Sequence, residues 1–262
     1  MPNTTDNFDI PFLDGTELVR DYPQFSQDLA EAIDDALSSD AAPVPFYRYV
    51  DTVYFTSSGP FEKADYPWLR AIGVKCQGAG GGSGGIAATG AGVNGASPGG
   101  AGGAYGETFI TDIAGLDASV TVTRGGGGAG GAAGANAGSN GVASSFGSLV
   151  IADGGQGGRA GVATSGAAVT PGRPATTGTT GADLSVPGGG GGGAAVFAGV
   201  RALFGVGGGS HLGAEQPPEA GGNGVDGVDF GGGAGGAASA PNTAARTGGT
   251  GGNGIVIVDL YA

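Results

Sequence analysis

Glycine is distributed very unevenly along this chain of 262 residues. Only three of its 63 glycines, Gly15, Gly59 and Gly73, precede residue 78, so the other 60 fall between Gly78 and Gly254. Glycine makes up roughly 7% of an average protein. Collagen is excluded because the glycines run consecutively, as in 188–193, and only 14 prolines are present. The chain therefore places bare backbone where other proteins place a core.

Two readings of such a region compete, disorder and ordered backbone packing. Glycine loses the most entropy on folding, which favours disorder. However, alanine, valine and isolated large apolar residues interrupt the glycines, and little net charge is present, which is atypical of flexible linkers. Polyproline II-type helices have three residues per turn and no internal hydrogen bonds, so bare helices can pair side by side. We therefore predict glycine-rich loops packed as polyglycine II-like helices.

Segments with period-two alternation frame the glycine-rich loops. Residues 46–59, 68–77, 105–113, 118–124, 144–152 and 254–262 are rich in β-branched and aromatic residues, as strands are. The residues between 57 and 67 read as a turn-rich connection. We predict a mainly β protein whose domain 43–262 has a β-sandwich, jelly-roll-like base that carries the glycine-rich loops.

The N-terminal part has a different composition. Residues 1–22 indicate an extended, polar segment, and 23–42 a short α-helix (23–39) with a linker. Four residues spaced four apart form one apolar stripe on that helix: Phe25, Leu29, Ile33 and Leu37. A partner helix in a trimeric coiled coil, or the protein's own domain, would cover this stripe.

Charge and composition exclude several functions. Residues 1–65 carry 13 acidic and 3 basic side chains, which accounts for −10 of the net charge of −13. The chain therefore lacks the excess of Lys and Arg that is typical of a nucleic-acid-binding protein. The single cysteine, Cys76, excludes an intramolecular disulfide framework. The N-terminus lacks the pattern of a signal peptide, and we expect synthesis in a cytoplasm. A lone His211 and the absence of a phosphate-loop motif predict no enzyme activity, no metal and no cofactor.

Both ends of the glycine-rich region resemble a known family. "VYFTSSGPFEKADYPWLRAIGVKCQGAGGGSGG" resembles the opening of glycine-rich domains in bacteriophage tail fibre and minor tail proteins, and "GGTGGNGIVIVDLYA" resembles their close. "IPFLDGTELVRDYPQFSQDLAEAIDDAL" is similar to the start of minor tail proteins of phages that infect actinobacteria. The resemblance spans roughly residues 46–262.

This resemblance implies a homotrimeric virion protein at the tail tip or in a fibre. Its N-terminus would attach to other tail-tip or baseplate proteins, and its glycine-rich domain would contact a saccharide or protein on the host surface. The resemblance implies no catalytic residues. Rival interpretations are a purely structural tail-tip or baseplate protein, an ice-binding glycine-rich protein and an unstructured cell-wall protein.

Large side chains on a glycine scaffold are the candidates for receptor contact. They are Tyr105, Phe197, Arg201, Phe204 and His211. An equally good interpretation is that Phe197 and Phe204 fill space in the β-sandwich base or at an interface between subunits. For Tyr105, a place in the core is the alternative to receptor contact.

Overall fold

The computed structural model describes residues 3–4, 11–12, 27, 30, 46–198, 201–219 and 221–262. The chain divides into two units, Met1–Arg48 and Tyr49–Ala262. In the first unit, β1 (Asn3–Thr4) pairs antiparallel with β2 (Pro11–Phe12). The apolar stripe of the predicted helix lies outside the described residues, so that helix stays a prediction. Among the described residues, no helix is long and apolar enough to cross a membrane.

The second unit contains two antiparallel five-stranded sheets. In sheet I the strand order is β14, β7, β5, β18, β3, and in sheet II it is β13, β10, β9, β8, β4. The strands of sheet I are β3 (Tyr49–Phe55), β5 (Ala71–Gln77), β7 (Tyr105–Ile110), β14 (Leu184–Val186) and β18 (Ile255–Tyr261). Those of sheet II are β4 (Gly59–Glu62), β8 (Ser119–Thr123), β9 (Ser144–Phe146), β10 (Val150–Ala152) and β13 (Thr179–Thr180). One turn of 3-10 helix, Lys63–Asp65, follows β4.

A single hydrophobic core joins the two sheets. Alternate residues of β5 and β18, such as Val74 and Val258, are fully buried against residues of sheet II, such as Phe61 and Phe146. The rings of Phe61 and Phe146 meet edge to face with centroids 5.5 Å apart. This packing of two sheets confirms the predicted mainly β, sandwich-based architecture. The connection between 57 and 67, read from the sequence as turns, contributes strand β4.

The glycine-rich segments form a lattice that continues from the sandwich. Segment 78–86 follows β5 directly, and every one of its amides donates to a neighbouring segment at 2.8–3.2 Å. The amides of 78, 81 and 84 reach segment 98–104, those of 79, 82 and 85 reach 136–142, and those of 80, 83 and 86 reach 246–252. This period of three is that of a polyproline II-type helix.

The carbonyl groups of the same central segment bind three further neighbours. The carbonyls of 79, 82 and 85 accept from segment 155–161, those of 80, 83 and 86 accept from 128–134, and that of Gly81 accepts from Ala234, at 2.7–3.1 Å. Segment 78–86 therefore has six hydrogen-bonded neighbours, three through its amides and three through its carbonyls. The predicted polyglycine II-like packing is confirmed by this arrangement.

Close approach of the backbones explains why the lattice needs glycine. A Cβ atom added at Gly80, Gly81 or Gly82 would lie 2.0–2.2 Å from a carbonyl oxygen of a neighbouring segment. Real Cβ atoms essentially never come within 3.0 Å of such an atom. Side chains occur only where the lattice leaves space, as at the buried Ser83, whose hydroxyl oxygen accepts a hydrogen bond from the Gly249 amide at 2.8 Å.

Two small antiparallel sheets flank the lattice in the second unit. One has the order β11, β6, β17, and the other has the order β12, β15, β16. Their strands are β6 (Asn94–Ala96), β11 (Val162–Thr164), β12 (Ala168–Thr170), β15 (Ala194–Phe197), β16 (Arg201–Leu203) and β17 (Ala238–Ser239).

Candidate functional site

The sheet formed by β12, β15 and β16 lies at the end of the lattice away from the sandwich; we call it the distal sheet. The chain leaves sandwich strand β14 at Val186, passes through lattice residues 187–193 and enters β15 at Ala194. Seven residues at a rise of about 3.1 Å cover roughly 20 Å. The start of the domain lies at the other end of the sandwich. There Tyr49 pairs with Tyr261, whereas β5 enters the lattice from the opposite end of its strand, at Gln77.

The outer face of the distal sheet is apolar and exposed. Val169 of β12 is opposite Ala195 of β15, which is opposite Leu203 of β16, so these side chains share one face. The exposed fractions are 75% for Val169, 54% for Leu203 and 48% for Phe197. Phe197 is opposite Arg201 in the next row, which places Arg201 at the tip of the hairpin. Antiparallel sheets usually turn polar side chains toward water, so this face has the character of a contact surface.

The inner face of the distal sheet explains the position of Phe204. Ala194 and Val196 are buried there together with Ala96, and the partly buried Phe204 packs against this cluster. Phe197 and Phe204, which the sequence left as equivalent candidates, therefore have different surroundings. Phe197 is exposed on the outer face, whereas Phe204 contributes to the packing beneath the sheet.

Tyr105 and His211 form a second group, on the sandwich. Tyr105 is buried in β7, and its ring centroid lies 4.3 Å from that of the exposed His211. The Tyr105 hydroxyl donates to the Glu107 carboxylate at 2.5 Å. Burial, followed by this hydrogen bond, raises the pKa of Tyr105. Of the two interpretations of Tyr105, its burial agrees with a place in the interior, and we leave it out of the distal contact surface.

The described part of the chain contains neither a metal-binding cluster nor an exposed thiol. No cluster of three or more His, Cys, Asp or Glu side chains there is placed to hold a metal ion. The Cys76 thiol is buried in the core, and desolvation raises its pKa to about 12. A thiol in that environment stays protonated and is a poor nucleophile near neutral pH.

Val169 and Leu203 were missed in the sequence. Each lies in a strand of three residues, AVT or RAL, which is too short for period-two alternation to be recognised. For Leu203, the signal that was present is its position beside Phe204 in the apolar segment "AAVFAGVRALFG".

Comparison with protein-family models finds no matching family, and a search of curated proteins finds no match.

Proposed function

We propose that this chain is a virion tail protein that holds a non-catalytic contact surface against the host cell. The contact surface is the outer face of the distal sheet, with Val169, Phe197 and Leu203 exposed and Arg201 at its tip. The resemblance of both ends of the glycine-rich region to phage tail proteins supports the tail assignment.

One observation carries the proposal: the contact surface and the start of the domain lie at opposite ends of the body formed by the sandwich and the hydrogen-bonded lattice that continues from it. Every amide of segment 78–86 is bonded to a neighbouring segment, so the lattice has the cross-links of a rigid spacer. From Ala71 to Ile86, strand and polyglycine helix together span about 48 Å, at about 3.4 Å and 3.1 Å per residue. A spacer of this kind presents a surface away from the point of attachment.

The energetics favour many weak contacts. Complete burial of a Val, Leu or Phe side chain is worth about 1.5–3 kcal/mol, and these three are already partly covered. A single distal sheet would therefore bind weakly, and repetition in one particle would raise the avidity. We propose a homotrimer that joins other tail-tip or baseplate proteins through the N-terminal unit. Light scattering on the full chain tests the trimer by its mass in solution.

Binding of the purified full chain to intact cells tests the contact surface. We would label the wild type and the double variant Phe197→Ala/Arg201→Ala and measure binding to a panel of actinobacterial cells. The matched control is Val142→Ala, because Val142 is 54% exposed but lies in the lattice.

We expect the double variant to lose most binding and Val142→Ala to retain it, with both folded by circular dichroism. Equal binding of the wild type and the double variant would exclude the distal sheet as the contact. Binding of the wild type to no cell in the panel would favour the rival function, a purely structural tail-tip protein.

A further inference from the structure

The two sheets of the sandwich have very different outer faces. On sheet II, the outward positions between the buried Val120, Val122 and Phe146 are hydroxyl side chains such as Thr121 and Ser145. On sheet I, several outward positions carry large apolar or aromatic side chains that are exposed. They include Tyr49, Tyr54, Phe109 and Leu184. A solvated outer face explains sheet II, whereas sheet I has the composition of a binding face.

A cleft of about 350 Å³ opens in this face above Gly73. The cleft exists because Gly73 has no side chain at the centre of the sheet. A Cβ added there would meet only side-chain atoms, those of Asp259 and Tyr261, at 3.6–3.7 Å. The glycine is thus not required for backbone packing, in contrast to those of the lattice.

Aromatic rings form one wall of the cleft. The Phe109 and Tyr261 rings meet edge to face with centroids 5.2 Å apart and an angle of 79° between their planes. Tyr49 extends the same cluster, with its centroid 6.0 Å from that of Tyr261. Rings held at right angles present both a flat face and an edge, and the apolar face of a pyranose ring can stack on such a surface.

Charged groups also line the cleft. Lys75 donates to Asp259 at 2.6 Å, and the Thr52 hydroxyl donates to the other oxygen of Asp259, also at 2.6 Å. This pairing neutralises Lys75 within the cleft. Glu107 and Asp183, which also line the cleft, then leave it with a net charge of −2, from three carboxylates and one ammonium.

The two remaining carboxylates are already oriented by the protein. Glu107 accepts a hydrogen bond from the Tyr105 hydroxyl, and Asp183 accepts one from the Thr108 hydroxyl. A carboxylate has about four acceptor positions, so both groups keep capacity for a ligand. The cleft therefore combines an apolar wall for a ring with fixed acceptors for hydroxyl and ammonium hydrogens, the usual composition of a small-ligand site.

We propose that this cleft binds a hexose unit that carries a free amine, as part of a saccharide. The sugar ring stacks on Phe109 and Tyr261, and the ammonium group lies toward Glu107 and Asp183. The excess of negative charge selects the free amine over its acetylated form. This site is on the sandwich and is separate from the distal sheet. Its assignment does not depend on the function proposed for the distal sheet.

Calorimetric titration of the full chain tests the site. The probes are the β-1,4-linked tetrasaccharide of glucosamine and its N-acetylated counterpart, which differ only in the acetyl groups. We expect the free-amine form to bind at least about ten-fold more tightly, since it alone offers charges to the carboxylates.

Two variants remove the site in different ways. Phe109→Ala removes part of the stacking wall, and Gly73→Val fills the floor while leaving both walls in place. The matched control is Leu149→Ala, because Leu149 is 41% exposed and Phe109 is 44% exposed, but Leu149 lies in the turn before β10 of sheet II, outside both proposed sites. Both cleft variants should bind the glucosamine probe at least about ten-fold more weakly, and the control should bind as the wild type does.

Several results would overturn the assignment. They are equal affinity for the two tetrasaccharides, no heat of binding at millimolar probe, and a loss of binding in Leu149→Ala alone. A lysine-rich peptide that binds the cleft while the glucosamine tetrasaccharide does not would replace the saccharide by a basic protein segment. The double variant Phe197→Ala/Arg201→Ala could lose binding to cells and still bind the glucosamine probe as the wild type does. That result would support two separate sites and the assignment of the cleft.

Discussion

Replacing Gly81 by alanine tests the physical reason for the glycines. A Cβ at Gly81 would lie 2.2 Å from the carbonyl oxygen of Gln156, and real contacts of this kind are essentially never shorter than 3.0 Å. The neighbouring segment must therefore move by at least about 0.8 Å, the difference between the two distances. That carbonyl accepts from the Ala101 amide at 2.8 Å, and the adjacent Gly155 amide donates to Ala79 at 2.7 Å.

The displacement puts two buried hydrogen bonds at risk. Each buried group left without a partner costs about 1–3 kcal/mol, so two broken bonds cost about 2–6 kcal/mol. Alanine returns about 0.4–1 kcal/mol by restricting the unfolded chain. The net loss is about 1–6 kcal/mol, which is to be set against the roughly 5–15 kcal/mol by which domains are stable.

Thermal unfolding followed by circular dichroism measures this loss. For a domain of this size each kcal/mol lowers Tm by about 2–4 °C, so we expect a decrease of roughly 2–24 °C in Gly81→Ala. The control is Gly126→Ala, because a Cβ at Gly126 meets nothing within 4 Å. We expect its Tm to equal or slightly exceed that of the wild type. Equal Tm values for the two variants would refute the packing argument.

The remaining predictions concern the sandwich. Phe146→Ala should destabilise the domain by about 3–5 kcal/mol in urea unfolding, because the ring is fully buried against Phe61; a loss below about 1 kcal/mol would show that the two sheets do not share this core. Cys76 should not react with a thiol reagent at pH 8 until the protein unfolds, because the thiol is buried and its pKa is raised to about 12; fast labelling of the native protein would contradict this placement. The hydrogen bond to Asp259 raises the pKa of Lys75 above its unfolded value of 10.5, so the stability from this pair is complete below pH 10.5 and is lost as the pH rises through the folded pKa. Lys75→Met should flatten that alkaline decrease in Tm, and an unchanged decrease would assign it to other groups.

The main strands were predictable because their alternation is strong. The predicted strand segments 68–77 and 254–262 correspond to β5 and β18, whose core-facing residues alternate along the chain, as Val74 and Cys76 or Val256 and Val258 do. The type of packing in the lattice was predictable, because consecutive glycines permit close contact between backbones and residues with side chains rarely do. Its connections were not, since glycines are chemically identical and nothing local tells residue 81 to pair with residue 101.

The surfaces were less predictable than the core. Tyr54 and Phe55 are adjacent aromatic residues in β3, and the sequence does not state which of them faces the core. In the structure Phe55 packs against the core and Tyr54 is exposed, because β18 pairs with β3 and fixes its register. The cleft above Gly73 also depends on that long-range pairing, so sequence reasoning missed it. Phe197 is exposed and Phe204 is partly buried, and this difference follows from the orientation of the β15–β16 hairpin.

Amide hydrogen exchange of the full chain, resolved by residue, tests the ordered glycine lattice most directly. All amides of segment 78–86 are hydrogen-bonded to neighbouring segments, and residues 78–85 are buried. We predict that these amides exchange as slowly as those of β5 and β18, with protection near the global stability of the domain. Exchange of Gly80, Gly81 and Gly82 at the rate of an unstructured peptide, with β5 still protected, would contradict the lattice.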